Sequence, residues 1–532
     1  MQQRIIFVCL ALTLVLAGCN QPHSSGEKPK QELRLNLHTE PPALDPRKAT
    51  DTVSIAVINM CFEGLYKLGA QNEAIPALAE RVELSEDQLT YTFYLRKALW
   101  SDGKPITAHD FETTWKSILE PHFNCHFASD YYVIKNAKEA KEKSCTLDEV
   151  GIKALSDQIL EVKVAHPTPY FLSLIASHAF IATPAHIVTK HPHWAKEASP
   201  LFVGSGPFML KKWRHYDEII VEKNPYYWDK DAVILDRISL PMIPDESTEL
   251  NMFESGALDW AGKPFSALPT DSMPALERTG RVDTYPIAAT YYYIFNTKVF
   301  PFNNVHIRRA FALAINRQEI IDNVLQAHQL PASGLIPPSM WQSHYFTDGD
   351  IKMAQKEFAI GLKELGIKSE NFPSITLSYN TSEGHHKVAQ AIQGQWLKAL
   401  GISVKLENKE WKVFLNDVNK CQFQVARMGG VASFHDPVTF LDLYKYASNS
   451  NNHTQWFNPR YAELMERADR TPDPMQRIPL LKEAEKILIE EMPLAPIYFY
   501  TSSYLKKPYV KGVLLTEIGD ADFKTAYIEN PR

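Results

Sequence analysis

The sequence predicts an α/β protein of two or three domains, and three observations carry that reading. Segments with period-two alternation of β-formers recur along the chain between segments with helical apolar periodicity. Proline-bearing turns separate them. The chain is 532 residues long, more than one hydrophobic core organises. In order, Glu32–His38 (ELRLNLH) reads as a strand and Glu40–Pro46 (EPPALDP) as a turn, followed by a helix over Thr52–Phe62. Gln88–Leu95 (QLTYTFYL) alternates as a half-buried strand does, and Asp102-Gly103-Lys104-Pro105 is a turn. Thr107 is placed as the N-cap of an amphipathic helix carrying Phe111, Trp115, Ile118 and Leu119 on one face. Strands and helices alternate to about Pro184, and Gly204–Trp228 then reads as two strands around a turn with an Asn224-Pro225 stop. Val305–Leu325 has the period of one long helix, and His386–Leu400 of a second that feeds a strand at Ile402–Glu407. Helices over Tyr461–Ala468 and Arg477–Glu491 precede an aromatic strand, Leu494–Tyr500. No repeat at solenoid spacing interrupts this order.

The amino terminus has the form of an export signal. Arg4 precedes an apolar run, Ile5–Leu16, too short for the roughly 20 residues that cross a bilayer. Residues 1–18 therefore read as a signal peptide. Leu16-Ala17-Gly18-Cys19 resembles a bacterial lipobox, which places a lipid on Cys19 and the protein in the periplasm or at the cell surface, anchored to a bacterial membrane. Residues 19–31 are polar and carry Pro, Ser and Gly, the composition of a flexible tether. Removing residues 1–18 takes away one arginine and no acid, so the formal charge goes from −6 to −7. A mildly acidic chain without Lys/Arg blocks gives nucleic acid or anionic lipid no purchase. Cys61, Cys125, Cys145 and Cys421 are too few for a disulfide framework; Cys125 and Cys145 are near enough in sequence to pair, or all four are free. HExxH, GxSxG, P-loop and paired CxxC patterns are absent, and neither His191-Pro192-His193 nor His385-His386 has the i, i+4 spacing of a metal-binding helix. No catalytic residue, metal or cofactor is expected.

Longer motifs say more. HTEPPALDP, the block Ala77–Phe111, GSGPF with KNPYYWD, Phe295–Arg317 (FNTKVFPFNNVHIRRAFALAINR), Tyr379–Lys387 (YNTSEGHHK) and Val425–Leu441 (VARMGGVASFHDPVTFL) occur in one order from about Leu33 to the end. Together they resemble the peptide- and nickel-type solute-binding proteins of ABC importers. Glu407–Leu415 (ENKEWKVFL) is most similar to the oligopeptide-binding branch. The resemblance implies a two-lobed periplasmic-binding-protein-like fold (type II, cluster C) with a hinge and an extra domain. The first lobe would take residues 32–52, 185–287 and 501–532, the extra domain 53–184, and the other lobe 288–500. It implies a monomeric receptor that captures an oligopeptide and delivers it to an ABC permease. The same fold is open to a modified or non-standard ligand such as a cell-wall peptide, glutathione, a nickel chelate or haem. A secreted hydrolase ranks last.

A receptor for flexible zwitterions can pair the peptide backbone with its own strand edges and fix the two ends by charge. The resemblance places Arg427 and His385 at the peptide carboxylate, with Val418 where relatives carry a second arginine. Gly429, Gly430 and Val431 fall on the ligand-pairing strand, and Gly430 stands in place of a pocket tryptophan, which predicts a larger pocket there. Trp411 and the run Tyr291-Tyr292-Tyr293 are its aromatic positions. The departure lies at the amino end, where Ser433 occupies the position of an aspartate that would hold the ligand's α-ammonium. An uncompensated buried charge costs about 3–5 kcal/mol. Either another acid compensates, with Glu40, Glu383 and Asp436 as candidates, or the ligand lacks a free α-amine.

Overall fold

The computed structural model describes residues 30–446 and 448–529. The signal peptide, Cys19 and all of the expected tether except Lys30 and Gln31 lie outside them. Gln31 is already part of the fold, because its amide donates to the Ile528 carbonyl at 3.0 Å and accepts from the Ile528 N–H at 2.9 Å.

In the strand Thr90–Leu95, Tyr91, Phe93 and Leu95 are buried and the intervening residues half-buried, as period-two alternation requires. It lies second in a four-stranded antiparallel sheet ordered 79–84, 90–95, 159–163, 152–156. The helix Ala108–Leu119 follows, its first turn held by Asp110, whose Oδ2 accepts from the Thr107 N–H at 2.8 Å. Phe111, Trp115, Ile118 and Leu119 are fully buried, and the Trp115 indole donates to the Phe180 carbonyl at 2.9 Å. Each such apolar side chain contributes about 1.5–3 kcal/mol on burial.

A second four-stranded sheet joins Glu32–Arg34, Arg237–Pro241, Glu218–Lys223 and Phe208–Arg214. The first strand is shorter than its alternation suggests, although main-chain bonds from Leu35 to Ser239 and from Leu37 to Pro241 continue its line, and the Asn36 side chain donates to the Ile243 carbonyl and to Glu249.

The largest sheet has seven strands and is built on two long antiparallel ones, Asp283–Phe295 and Leu494–Lys506. At one end Leu494–Lys506 also pairs with Trp260–Gly262; at the other Asp283–Phe295 pairs with Val425–Val431. The register between the two long strands breaks from Pro286 to Thr290, opposite Phe499–Thr501. The rest of the sheet is a βαβαβ unit. Ile375–Asn380 leads through helix Glu383–Leu400 to Val404–Lys409, and then through helix Trp411–Asn419 to Val425–Val431, which lies parallel on the other side of Ile375–Asn380. The chain thus reverses direction between 375–380 and 425–431, and in such sheets the crevice beyond the carboxyl ends at that point is where ligands bind. Pairing between these two strands stops at Ser378–Ala426, so from Arg427 onward no strand of the described residues lies against that edge.

The expected helix over Val305–Leu325 is broken into Val305–Leu313, Arg317–Ile320 and a π turn, Ile321–Leu325. The break has a tertiary cause. The Arg317 guanidinium is buried and donates to the carbonyls of Ala312, Ile315 and Pro496 and to Asp348, while Asn316 caps the next turn. Cys61, Cys125, Cys145 and Cys421 are free thiols.

Candidate functional site

A chamber of about 950 Å³ opens between these bodies. Its walls come from the segment after Thr50, the 79–163 domain, the cis-Pro264 turn, the carboxyl half of strand 425–431 and the C-terminal turn Thr516–Lys524. Contacts from opposite walls close it. Tyr170 stacks on Phe434 at 5.5 Å, Trp411 Nε1 donates to Asp51 at 3.4 Å and Asn449 donates to Ser129 Oγ at 3.2 Å.

One corner of the chamber is cationic. Arg427 projects from strand 425–431 at the point where its neighbour strand leaves it. Nη1 donates to Asn380 Oδ1 at 3.4 Å, Nη2 to the Tyr500 hydroxyl at 2.5 Å, and the guanidinium carbon lies 4.9 Å over the Tyr291 ring. Its Nε is buried without a partner, and no carboxylate of the described residues pairs with it. Lys263 stands beside it, with Nζ 5.8 Å from the centre of the Tyr500 ring. Burial, then the charge of Arg427, lowers the Lys263 ammonium to about 8, against a smaller opposing pull from Glu246 and Glu249. Burial and the same two cations, with His38, push His385 well below its ordinary range, so its imidazole is neutral at pH 7.

The opposite corner is acidic. Asp130 is pushed up to about 7 by burial and then by Asp442, and Asp442 to about 6 by burial, opposed by Lys445 and reinforced by Asp469. Lys445 pairs with Asp469 and lies 3.8 Å from Asp442. Both Asp130 and Asp442 line the chamber, as does Asp520, which burial raises to about 6.

Of the residues singled out from sequence, Arg427, Trp411, Gly429, Val431 and Ser433 line the chamber. The others do not. His385 is in the first turn of helix Glu383–Leu400 rather than ahead of it, and its ring packs on Tyr291 at 5.6 Å. Tyr291, Tyr292 and Tyr293 are all buried, because their strand is central and covered on both faces. Tyr291 reaches the site only by carrying Arg427 and His385. Gly430 opens no pocket, since a Cβ there would meet the Phe440 ring at 3.3 Å. The three acids weighed as partners for an α-ammonium are elsewhere. Glu40 is 1% exposed and accepts from His215 Nδ1 and the Tyr216 N–H. Asp436 makes a two-pronged pair with Arg477 at 2.7 and 2.8 Å. Glu383 does not line the chamber. Sequence reasoning missed Lys263, Tyr500, Asp130 and Asp442; only folding brings these isolated residues to one cavity.

Comparison with known proteins fits this geometry. The profile described as bacterial extracellular solute-binding proteins, family 5, middle, matches residues 73–452. The oligopeptide-binding protein OppA of Bacillus subtilis (strain 168) is 41% identical over 539 residues, covering 99% of each chain. The crystal structure of Haemophilus influenzae OppA in complex with the peptide RPPGFSPFR superposes with a TM-score of 0.88 at 30% identity, covering 94% of this chain and 99% of that one. Against the unliganded open form of the murein tripeptide-binding protein MppA the TM-score falls to 0.61, at 31% identity and with 94% and 98% of the chains covered. Over the whole chain, the structure therefore superposes better on the peptide complex than on that open form.

Proposed function

Because the chain belongs to the bacterial extracellular solute-binding proteins of family 5, we propose that it is a receptor that captures oligopeptides between its lobes and delivers them to an ABC permease. The observation that carries this reading is Arg427, a chamber-facing guanidinium with no carboxylate of its own. A planar fork of this kind takes a carboxylate by two parallel hydrogen bonds, and a peptide C-terminus supplies one. The free edge of strand 425–431 supports main-chain pairing with an extended guest, as in β-strand addition. The paired strands 283–295 and 494–506 are the connections between lobes, and their register break at Pro286–Thr290 is the proposed hinge. The lobes would then be residues 32–52, 185–287 and 501–532 on one side and 288–500 on the other, with 53–184 as the extra domain. The receptor breaks no bond. Ser433 favours a second reading, in which the guest is a peptide blocked or modified at its amine.

Mixed tri- to pentapeptides, added to the purified protein, should raise its melting temperature; a ligand at a hundred times its Kd stabilises by about 2.7 kcal/mol. No shift with any of them, together with a non-peptide mass retained in native mass spectrometry of protein from its own host, would overturn the reading. The membrane attachment has a separate test. Radioactive palmitate fed to the host should label the wild type and leave Cys19→Ser unlabelled; equal incorporation would remove the lipid anchor.

A further inference from the structure

We infer that Lys263 is a specificity-determining residue that binds a second carboxylate on the guest, so that the receptor selects peptides whose last residue is acidic. This rests on the reading of Arg427 as the site of the peptide C-terminus.

Arg427 and Lys263 converge on one side chain from different directions. The Tyr500 hydroxyl accepts from the guanidinium, and the centre of its ring lies 5.8 Å from the ammonium. Both cations line the same chamber. Burial, then the charge of Arg427, lowers Lys263, and His385 and His38 are held below their ordinary range, first by burial, and bring no negative charge. Two acids stand behind Lys263, and neither pairs with it. Glu246 accepts from Ser382 Oγ at 2.7 Å, and Glu249 from Ser266, the Gly262 N–H and Asn36. Burial raises both carboxyls, Glu249 to about 7, so Glu249 carries only part of a negative charge at pH 7.

Two cations held out of water without direct counter-ions are a costly arrangement that a guest can relieve. A neutral-tailed peptide offers one carboxylate, which the Arg427 fork takes, leaving Lys263 unmatched. A C-terminal aspartate or glutamate offers two carboxylates, one on Cα and one on Cβ or Cγ, to meet the two cations. Lys263 lies just before the cis-Pro264 turn, with its own backbone N–H bonded to the Ser503 carbonyl at 3.0 Å, so the ammonium is presented from a fixed main chain.

The test uses alanine peptides of three, four and five residues ending in Glu or Gln, titrated calorimetrically into the full mature protein. The wild type should bind the Glu-ended peptide of the best length about tenfold more tightly, a difference of about 1.4 kcal/mol. Lys263→Met should abolish that preference, costing the Glu-ended peptide more affinity than the Gln-ended one, while Lys263→Arg, which keeps the charge, should retain it. A wild-type preference below threefold, or one that survives Lys263→Met, overturns the inference and leaves the peptide reading standing. Failure of every peptide to bind overturns both.

Discussion

Arg427→Ala is expected to weaken peptide binding by about two to three orders of magnitude while leaving the empty receptor as stable as the wild type or more so. The first half follows from where the bound carboxylate would sit. Leaving one partner of a buried ion pair without the other costs about 3–5 kcal/mol, and each 1.4 kcal/mol is about tenfold in Kd. Lys263 remains in the variant and supplies a point charge, which places the loss towards the lower end of that range. The second half follows from what Arg427 does in the absence of guest. It satisfies Asn380 Oδ1 and the Tyr500 hydroxyl, but its Nε has no partner and it repels Lys263. Removing it ends that repulsion at the loss of two hydrogen bonds, each contributing about 0.5–1.5 kcal/mol net. Calorimetry with a tight-binding peptide and thermal unfolding of the empty protein separate the two effects. Unchanged affinity would take Arg427 out of the site; a large loss of stability without peptide would make it a structural residue. Arg427→Lys should recover only part of the affinity, because an ammonium keeps the charge and loses the fork.

The fold was legible where local pattern and tertiary demand agree. The alternation of Thr90–Leu95 and the face of Ala108–Leu119 are both local facts, and both elements form as their spacing requires. The single helix expected over Val305–Leu325 failed because its break is paid by no local signal: Arg317 ends it by bonding carbonyls on the helix itself and on Pro496, 179 residues away. The chamber lining was legible along 425–433, where a contiguous motif carries Arg427, Gly429, Val431 and Ser433 together, and at Trp411. Gly430 shows the limit of reasoning by substitution, since the space a tryptophan would take is already filled by Phe440. Lys263, Asp130, Asp442 and Tyr500 lie in four separate segments and carry no shared spacing. They line one cavity only once the chain is folded, which no sequence window records.

Ser433→Asp is expected to tighten binding of free-amine peptides by about tenfold or more while leaving, or weakening, that of the same peptides N-acetylated. Ser433 lines the chamber, and its backbone N–H is held by Thr439 Oγ1 at 3.0 Å, so a longer acidic side chain would start from a fixed point. The acids singled out from sequence do not replace it: Asp436 is committed to Arg477, Glu40 to His215 and Tyr216, and Glu383 does not line the chamber. Among the acids that line the chamber, Asp130 and Asp442 are the pair to test as partner for an ammonium, and pH tells whether they are used. Burial raises both carboxyls, to about 7 and about 6, so they are protonated at pH 5 and charged by pH 8. An ammonium bound there favours the charged form, so wild-type affinity for a free-amine peptide should rise across that interval, and that of its acetylated form should not. Ser433→Asp should flatten this rise, because an aspartate at the chamber wall beside a bound ammonium ionises at lower pH. A flat wild-type profile, with equal affinity for free and acetylated peptides that Ser433→Asp fails to separate, would show that the guest's amine meets no charge in this receptor. The chamber would then recognise its guest from the carboxylate end alone.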